Sequence, residues 1–150
     1  MSGISILLKS KPTAYQKLIQ RAASYLQERD VVFVMTGAGM SVDCGLPDFR
    51  GDEGFYKNMA KINKNLKYYQ IMSHNYFDDH PEKFWYLYGD RYLRYKQAKP
   101  HEGYNILKDL CINDKKNNYF LYTSNVDGLF LKFGFPEDKI FECHGNINFL

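Results

Sequence analysis

The sequence predicts an α/β fold with a parallel sheet, and this prediction rests on the order of its apolar runs and turns. Three short runs read as strands and are separated by stretches of helical periodicity: the apolar runs 31–35 and 119–122, and the run 139–142, which has Ile140 and Phe141 at its centre. Each run ends in a polar or glycine-containing segment. Because ligands bind outside the carboxyl ends of strands in open α/β sheets, the pattern places a functional site at one edge of the sheet.

The first apolar run leads into a glycine turn that has the outline of a nucleotide site. The run contains no polar residue and predicts a strand that is buried on both faces. Gly37 and Gly39 let backbone N–H groups approach a ligand without an intervening Cβ, and a helix that opens after Gly39 would favour an anion such as a phosphate. The turn is not the dinucleotide fingerprint, because Val42 stands where a third small residue is required, and the P-loop pattern is absent.

Helices are expected on both sides of this turn. Apolar residues recur at helical spacing over 14–28, and aromatic residues do so over 81–95. Pro100 is expected in the first turn of the next helix, where its missing N–H costs nothing. That helix would present one apolar face made of Tyr104, Leu107, Leu110 and Cys111. Residues 43–57 read as a long loop, and long ordered loops are usually functional.

Composition argues against several classes of function. A net charge of +3, with the lysines spread along the chain, gives no basic patch for nucleic acid or for a membrane surface. No apolar run approaches the roughly 18 residues that a membrane-spanning helix needs. Three cysteines without a pairing pattern, no Asn-x-Ser/Thr sequon and no convincing signal peptide favour a reducing compartment. The expected location is the cytoplasm, or the nucleus in a eukaryote.

Three polar side chains at strand ends are candidates for chemistry. His144 follows the third run, and an imidazole titrates near neutrality, which suits a general base. The alternative is a polar cap on the strand. Asn125 and Asp127 follow the second run and place an amide and a carboxylate at the same edge. Their alternative is an Asx-type turn that Gly128 accommodates. The residues by themselves leave both alternatives open.

Three segments of the chain carry a family resemblance. The first is Thr36-Gly-Ala-Gly-Met-Ser41 with Gly45-Leu-Pro-Asp-Phe-Arg50, the second is Thr123-Ser-Asn-Val-Asp-Gly128, and the third is Glu142-Cys-His-Gly145. In this order they resemble the motifs of the sirtuins, the NAD-dependent protein deacylases. Ser124 departs from the glutamine of the family motif, which puts local affinity beside the ribose in question. The resemblance covers roughly Ala14 to the last residue.

The resemblance implies a Rossmann-like parallel sheet that is incomplete, because this chain supplies its amino-terminal half. Residues 1–150 would form a single catalytic domain truncated at its carboxyl-terminal end, with a small helical subdomain at 58–98. In the family a four-cysteine zinc module follows the histidine. Cys44, Cys111 and Cys143 are isolated and form no Cys-x-x-Cys pair. The zinc module is therefore expected to be absent, and no metal ligand is predicted.

By the same resemblance the chain is an NAD-dependent protein-lysine deacylase, which transfers the acyl group to ADP-ribose and releases nicotinamide. His144 would deprotonate a ribose hydroxyl, and Asn125 would be the second catalytic residue. The residues expected to bind NAD are Gly37, Ala38, Gly39, Ser41, Asp48, Phe49, Arg50, Ser124, Asn125 and Asp127. Tyr88 and Arg91, at i and i+3 of a predicted helix, resemble a pair that binds the carboxylate of acidic acyl groups such as succinyl.

Two other functions are consistent with the same motifs. Some relatives transfer ADP-ribose or hydrolyse NAD, so an ADP-ribosyltransferase or an NAD glycohydrolase is one alternative. The other is an inactive NAD-binding fragment, because the sheet would be incomplete. The partner expected for the deacylase is an acylated-lysine protein or peptide, carrying an acetyl or a succinyl group.

Overall fold

The computed structural model of the chain describes residues 13–48, 68–71, 73–114 and 118–149. Phe49, Arg50 and the first part of the predicted helical subdomain, 58–67, lie outside the described residues. The predictions that concern them therefore stay predictions. None of the helices in the described ranges is long and apolar enough to cross a bilayer.

Helices and strands alternate along the described part of the chain. In chain order they are α1 (Ala14–Gln27), β1 (Val32–Thr36), α2 (Gly39–Val42), α3 (Tyr68–Ile71), α4 (His74–Asp79), α5 (Pro81–Gln97), α6 (Glu102–Lys108), a π-helical segment (Asp109–Asp114), β2 (Tyr119–Thr123), α7 (Leu129–Lys132), a 3-10 turn (Glu137–Lys139) and β3 (Ile140–Glu142). The structure therefore confirms the predicted strands and the helices before β1 and at 81–95, with small shifts at their ends.

The three strands form one parallel sheet in the order β1-β2-β3. The register sets Thr36 beside Thr123 and Thr123 beside Glu142, so the last residues of all three strands form one row. The motif segments that follow these residues therefore begin side by side at the carboxyl edge. The predicted parallel α/β architecture is confirmed, and so is the prediction that the three motifs meet at one edge.

One face of the sheet carries the hydrophobic core. Its buried members are Val32, Leu46, Ala98, Tyr104, Cys111, Tyr119, Leu121, Leu129, Phe130 and Phe135. Aromatic rings meet in its centre, since Tyr104 and Phe135 both lie against Phe130 with ring centroids 4.9 and 5.2 Å apart. Leu121, on the central strand, is fully buried beneath them. This core holds α6 and α7 against the sheet, directly behind the row of strand ends.

The opposite face of the sheet is exposed in the described structure, which corrects the expectation of a first strand buried on both faces. Phe33 and Met35 are 58% and 69% exposed. Phe33 stacks on Phe120 of the neighbouring strand, with ring centroids 6.2 Å apart, and Phe141 of β3 is exposed beside them. Side chains alternate between the two faces of a strand, and the core covers only the other face. Helix α1 likewise buries none of its residues.

The starts of α5 and α6 use proline differently, and the expectation for Pro100 is wrong. Pro81 occupies the first turn of α5, where no N–H is needed. Pro100, predicted in the first turn of the following helix, lies outside it, because α6 begins at Glu102 and His101 is the N-cap. The imidazole Nδ1 of His101 accepts a hydrogen bond from the N–H of Gly103 at 2.9 Å. This side-chain cap fixes where the helix begins.

Lys132, the last residue of α7, links α7 to the carboxyl end of α5. Its Nζ donates to the backbone carbonyl oxygens of Tyr95, Lys96 and Ala98, at 3.3, 2.6 and 2.9 Å. These carbonyl groups lie at the carboxyl end of α5, where the helix leaves acceptors without internal partners and its dipole favours a cation. The ammonium group therefore holds the end of the longest described helix beside the strand-end turns.

We predict that Lys132→Met lowers the free energy of unfolding by about 1 kcal/mol, because the helix end loses its charged donor while the aliphatic stem is kept. Lys83→Met, at an exposed position in the first turns of α5, is the matched control and should change the same quantity by less than about 0.5 kcal/mol. Urea unfolding followed by circular dichroism measures both. Equal losses would show that Lys132 does not hold the helix end.

Candidate functional site

A cavity of about 1200 Å³ lies at the carboxyl edge of the sheet, where the three motif segments meet. The glycine turn contributes Gly39, the second motif contributes Asn125, and the third contributes His144. Helix α5 forms another wall, with the side chains of Phe84, Trp85, Tyr88, Arg91 and Tyr92. The predicted nucleotide turn, general base and acyl-binding pair therefore face one space.

Beneath this cavity, three polar side chains from the first and second motifs form a buried hydrogen-bond network. Ser41 Oγ donates to Asp127 Oδ2 at 2.7 Å, and Asn125 Nδ2 donates to Ser41 Oγ at 3.1 Å. The same Nδ2 also donates to the carbonyl oxygen of Gly37 at 3.0 Å. The three side chains are more than nine-tenths buried. Separating them would leave buried polar groups unsatisfied, so the network fixes the two turns to each other.

Backbone groups hold the second motif from its other side. The N–H of Asn125 donates to Thr123 Oγ1 at 3.1 Å, and the N–H of Leu129 donates to Asp127 Oδ1 at 3.0 Å. Gly128 lies between them with φ of +66°, a conformation that suits glycine. The Asx-type turn expected as an alternative is therefore present, and it coexists with the network. One carboxylate oxygen of Asp127 closes the turn, and the other accepts from Ser41.

His144 is exposed to the cavity and is held through one ring nitrogen. Its Nδ1 lies 3.1 Å from the backbone carbonyl oxygen of Ser124. Because a carbonyl oxygen can only accept, Nδ1 carries the proton in this contact and Nε2 keeps the lone pair of the neutral ring. The partner thus selects the tautomer in which Nε2 can take a proton from a bound molecule.

The segment that carries this histidine is anchored to its own strand and to the second motif. Asn146 Nδ2 lies 2.9 and 2.7 Å from the two carboxylate oxygens of Glu142, and the N–H of Ile147 donates to the carbonyl oxygen of Val126 at 2.8 Å. Burial raises the pKa of the Glu142 carboxyl, and the hydrogen bond from Asn146 opposes that rise. Both contacts restrict where the imidazole can stand.

Tyr88 and Arg91 line the cavity from α5, as their i, i+3 spacing predicts. The Tyr88 ring stacks on Phe84, with ring centroids 4.3 Å apart. Arg91 is only 9% exposed; its Nε donates to the hydroxyl of Tyr95, and its guanidinium lies 5.1 Å from the centre of that ring. A guanidinium held in this way presents a fixed positive charge that suits a carboxylate.

The other predicted site residues also lie near the cavity where the structure describes them. Ala38, Asp48 and Ser124 line it. A β-carbon placed on Gly37 would come within 3.3 Å of Ser124 Oγ, so the glycine lets the two motif turns approach closely. Helix α2 begins at Gly39 as predicted, but it has only four residues.

Sequence reasoning missed two contacts that α6 makes with the glycine-turn segment. His101 Nε2 donates to the carbonyl oxygen of Met40 at 2.8 Å, since its Nδ1 is already the acceptor of the helix cap. A histidine directly before a helical stretch is the signal for such a cap. Tyr104 is a core residue, as its apolar spacing predicts, but its hydroxyl lies against Ser41 with Asp127 nearby. Spacing predicts where a ring packs and not what its hydroxyl approaches.

The described residues do not fit a metal site. Within them, no three His, Cys, Asp or Glu side chains come together in a group that could hold an ion. Burial raises the pKa of the Cys44 and Cys111 thiols, which disfavours the thiolate that zinc requires.

We predict that Gly128→Ala lowers the free energy of unfolding by about 2–3 kcal/mol, of which about 1 kcal/mol comes from the left-handed backbone. The added β-carbon would lie 2.6 Å from Asn148 Nδ2 and 2.8 Å from Asn146 Nδ2. These side-chain ends can move, but Asn146 then gives up its bonds to Glu142.

Gly145→Ala is the matched control for this change. Gly145 has a similar φ of +80°, and a β-carbon there meets nothing within 4 Å. It should therefore show only the backbone cost. Urea unfolding compares the two variants, and amide hydrogen exchange at Ile147 should accelerate in Gly128→Ala alone. Equal losses would mean that the asparagines adjust freely.

Comparison with known proteins agrees with this geometry. The Sir2 family matches residues 37–150 of the chain. An NAD-dependent protein deacylase of Thermus thermophilus is 34% identical over 131 residues, which is 86% of this chain and 48% of that protein. The NAD-dependent protein deacylase of Candida albicans is 30% identical over 131 residues, which is 87% of this chain and 40% of that protein.

A solved structure gives the same result for the fold. A Sir2 protein with a deacetylated p53 peptide and 3′-O-acetyl ADP ribose superposes with a TM-score of 0.67 at 28% identity, over 86% of this chain and 48% of that one. This likeness confirms the predicted Rossmann-like sheet. The chain thus spans about half the length, or less, of the relatives that it matches. The family match over most of its residues and the meeting of the three motifs at one sheet edge show that the chain belongs to the Sir2 family, the sirtuins.

Proposed function

We propose that the cavity at the carboxyl edge binds NAD together with an acylated lysine, and that His144 is the general base of an NAD-dependent protein-lysine deacylase. The observation that carries the proposal is the setting of His144, whose Nδ1 is bound to the Ser124 carbonyl oxygen while its ring faces the same cavity as Gly39 and Asn125. The relatives named NAD-dependent protein deacylase, and the Sir2 structure with a deacetylated peptide and an acetylated ADP ribose, support it.

The first and second motifs fit the carboxamide end of NAD. Both hydrogens of Asn125 Nδ2 are used, by Gly37 and Ser41, so Asn125 Oδ1 is the atom of this side chain that can accept from a carboxamide N–H. The Asp127 carboxylate keeps further lone pairs after accepting from Ser41 and Leu129. The pair therefore offers acceptors on a rigid support, which is what an amide N–H group requires.

The proposed roles of this chain's residues are to bind the carboxamide of the ligand and to accept one proton from it. When bound, NAD supplies the ribose carbon that takes up the acyl oxygen as nicotinamide leaves. Asn125 and Asp127 hold the leaving carboxamide. Nε2 of His144 accepts the proton of a ribose hydroxyl, and the bond from Nδ1 to the Ser124 carbonyl strengthens as the ring becomes positive. The aromatic side chains of α5 form one wall of this space.

We propose further that the acyl group carries a carboxylate, as succinyl does, and that Tyr88 and Arg91 bind it. Arg91 is nearly buried, and a guanidinium that is shielded from water binds a carboxylate more strongly than an exposed one. Its contact with Tyr95 fixes the direction of the side chain. A neutral acetyl group offers no negative charge to this guanidinium.

The function predicts that the 150-residue chain releases nicotinamide from NAD when an acyl-lysine peptide is present. Release over many turnovers should fall by about 100-fold or more in His144→Ala, because a turnover is completed only when the general base takes its proton. His74→Ala is the control, since His74 is exposed on α4 and does not line the cavity. Release without peptide would indicate a glycohydrolase or an ADP-ribosyltransferase instead. No release by folded protein would overturn the activity for this chain.

The acyl preference predicts that succinyl-lysine peptide is turned over faster than acetyl-lysine peptide, and that Arg91→Lys lowers this ratio by about tenfold because the two-pronged contact is lost. Arg94→Lys is the control: Arg94 lies on the same helix, exposed and paired with Asp90 at 2.7 Å. The measurement is kcat/KM for both peptides in both variants. A preference for acetyl-lysine that Arg91→Lys leaves unchanged would overturn the assignment.

A further inference from the structure

The imidazole of His101 joins the start of helix α6 to the glycine turn. Its Nδ1 accepts a hydrogen bond from the N–H of Gly103 at 2.9 Å, and its Nε2 donates to the carbonyl oxygen of Met40 at 2.8 Å. A neutral imidazole has one acceptor nitrogen and one donor nitrogen, and both are engaged here. The proposed chemistry does not use this ring.

Helix α2, which carries Met40, needs a donor from outside. The last four carbonyl groups of a helix have no helical partner, and α2 has only four residues. The N–H that would reach the Met40 carbonyl in a longer helix belongs to Cys44, and it donates to the Ser41 carbonyl oxygen instead, at 3.1 Å. His101, 61 positions further along the chain, supplies a donor to Met40. The imidazole thus takes the place of a helical N–H.

The start of α6 has room for the ring because residue 103 is a glycine. A β-carbon on Gly103 would lie 2.5 Å from Cε1 and 2.9 Å from Nδ1 of His101. The ring is bound at both nitrogens, so it could not move aside without weakening one of its bonds. The glycine therefore lets a single side chain cap α6 and reach the glycine turn.

The carbonyl group that His101 binds lies between two residues of the candidate site. Gly39, one position before Met40, lines the cavity, and Ser41, one position after it, donates to Asp127 at 2.7 Å. The turn is therefore held from two sides, by the second motif and by α6. A turn that is already fixed loses less conformational entropy when a ligand binds, so its affinity for that ligand is higher.

We propose that His101 is a positioning residue of the glycine turn, and that its bond to the Met40 carbonyl oxygen holds the turn in the arrangement that binds NAD. The inference rests on the proposed function. Within the described residues, the hydrogen bonds of the segment that carries His144 run to the second motif and to β3. The link from α6 should therefore act on the binding of NAD more than on proton transfer.

Two substitutions of His101 separate the link from the helix cap. In His101→Asn, Oδ1 stands in the place of Nδ1 and caps α6, because asparagine is a favoured N-cap residue, but the side chain is too short to reach Met40. In His101→Gln, Nε2 lies as many bonds from the backbone as the imidazole Nε2 and can donate to Met40, but glutamine is not a favoured cap. Both variants lose the ring contact with Tyr104, so that loss cancels in the comparison.

Amide hydrogen exchange without ligand should divide the two variants. The N–H groups of Met40 and Ser41 bond within the turn at 2.9 and 3.0 Å. Their exchange should rise by about threefold or more in His101→Asn, because the turn opens more easily without the link, and should keep the parent's rate in His101→Gln. At Gly103 the order should reverse, because only the glutamine variant loses the cap.

His80→Asn is the matched control for these measurements. His80 is the N-cap residue of α5, and its side chain makes no cap hydrogen bond there. The same substitution at this second helix start should leave exchange at Met40, Ser41 and Gly103 unchanged.

The affinity for NAD should follow the link and not the cap. In His101→Asn the dissociation constant of NAD should rise by about 3–10-fold, the effect of one hydrogen bond of ordinary net strength, while kcat stays within about twofold of the parent. His101→Gln should bind NAD as the parent does. A residue that only stabilised α6 would give the opposite result, with the larger effect in the variant that lacks the cap.

The outcomes distinguish this inference from the function on which it rests. If Met40 and Ser41 exchange no faster in His101→Asn than in His101→Gln, or if His101→Asn keeps the parent's affinity for NAD, the role of His101 is overturned whatever the activity. If the parent chain binds no NAD while exchange at these two amides rises in His101→Asn alone, the imidazole holds the turn and the proposed function is overturned.

Discussion

The hydrogen bond between Ser41 and Asp127 is the interaction on which the site depends. It joins residues 86 positions apart in the chain and closes the turn after β1 onto the turn after β2. Both groups are buried, so breaking the bond would leave a carboxylate oxygen without its donor; such charge-assisted bonds contribute about 1.5–3 kcal/mol. The sheet register brings the two turns within reach, and this bond sets their relative position. Asn125 also links the two turns, because its Nδ2 donates to the Gly37 carbonyl oxygen and to Ser41 Oγ.

The segment from 123 to 132 connects this bond to the rest of the molecule. Its carbonyl groups hold the histidine loop, through Ser124 to the imidazole and through Val126 to Ile147. Its last residue, Lys132, holds the end of the helix that carries the arginine of the cavity. The histidine loop, the glycine turn and the aromatic wall of the cavity are thus all attached to one short stretch of backbone. Displacement of that stretch would disturb all three together.

The sequence predicted the strand ends well because apolar runs and glycine turns are local features. His144, Asn125 and Asp127 could be placed at one edge because parallel strands leave no other arrangement. Contacts between distant elements could not be predicted in the same way. The cap by His101, which moved the helix start past Pro100, depends on a carbonyl group 61 positions away as well as on the local turn. The apolar composition of β1 predicts that its side chains favour burial. It does not predict whether another element of the described structure packs on each face.

The uncovered face of the sheet has a thermodynamic consequence. Apolar surface that is ordinarily buried in a parallel sheet stays in contact with water at Phe33, Phe120 and Phe141. Each square ångström left there forgoes about 25 cal/mol, so the stability of these strands is linked by mass action to anything that covers them. A melting temperature of this sheet is therefore a property of the chain and its surroundings together, and its value has meaning only when the concentrations of both are stated.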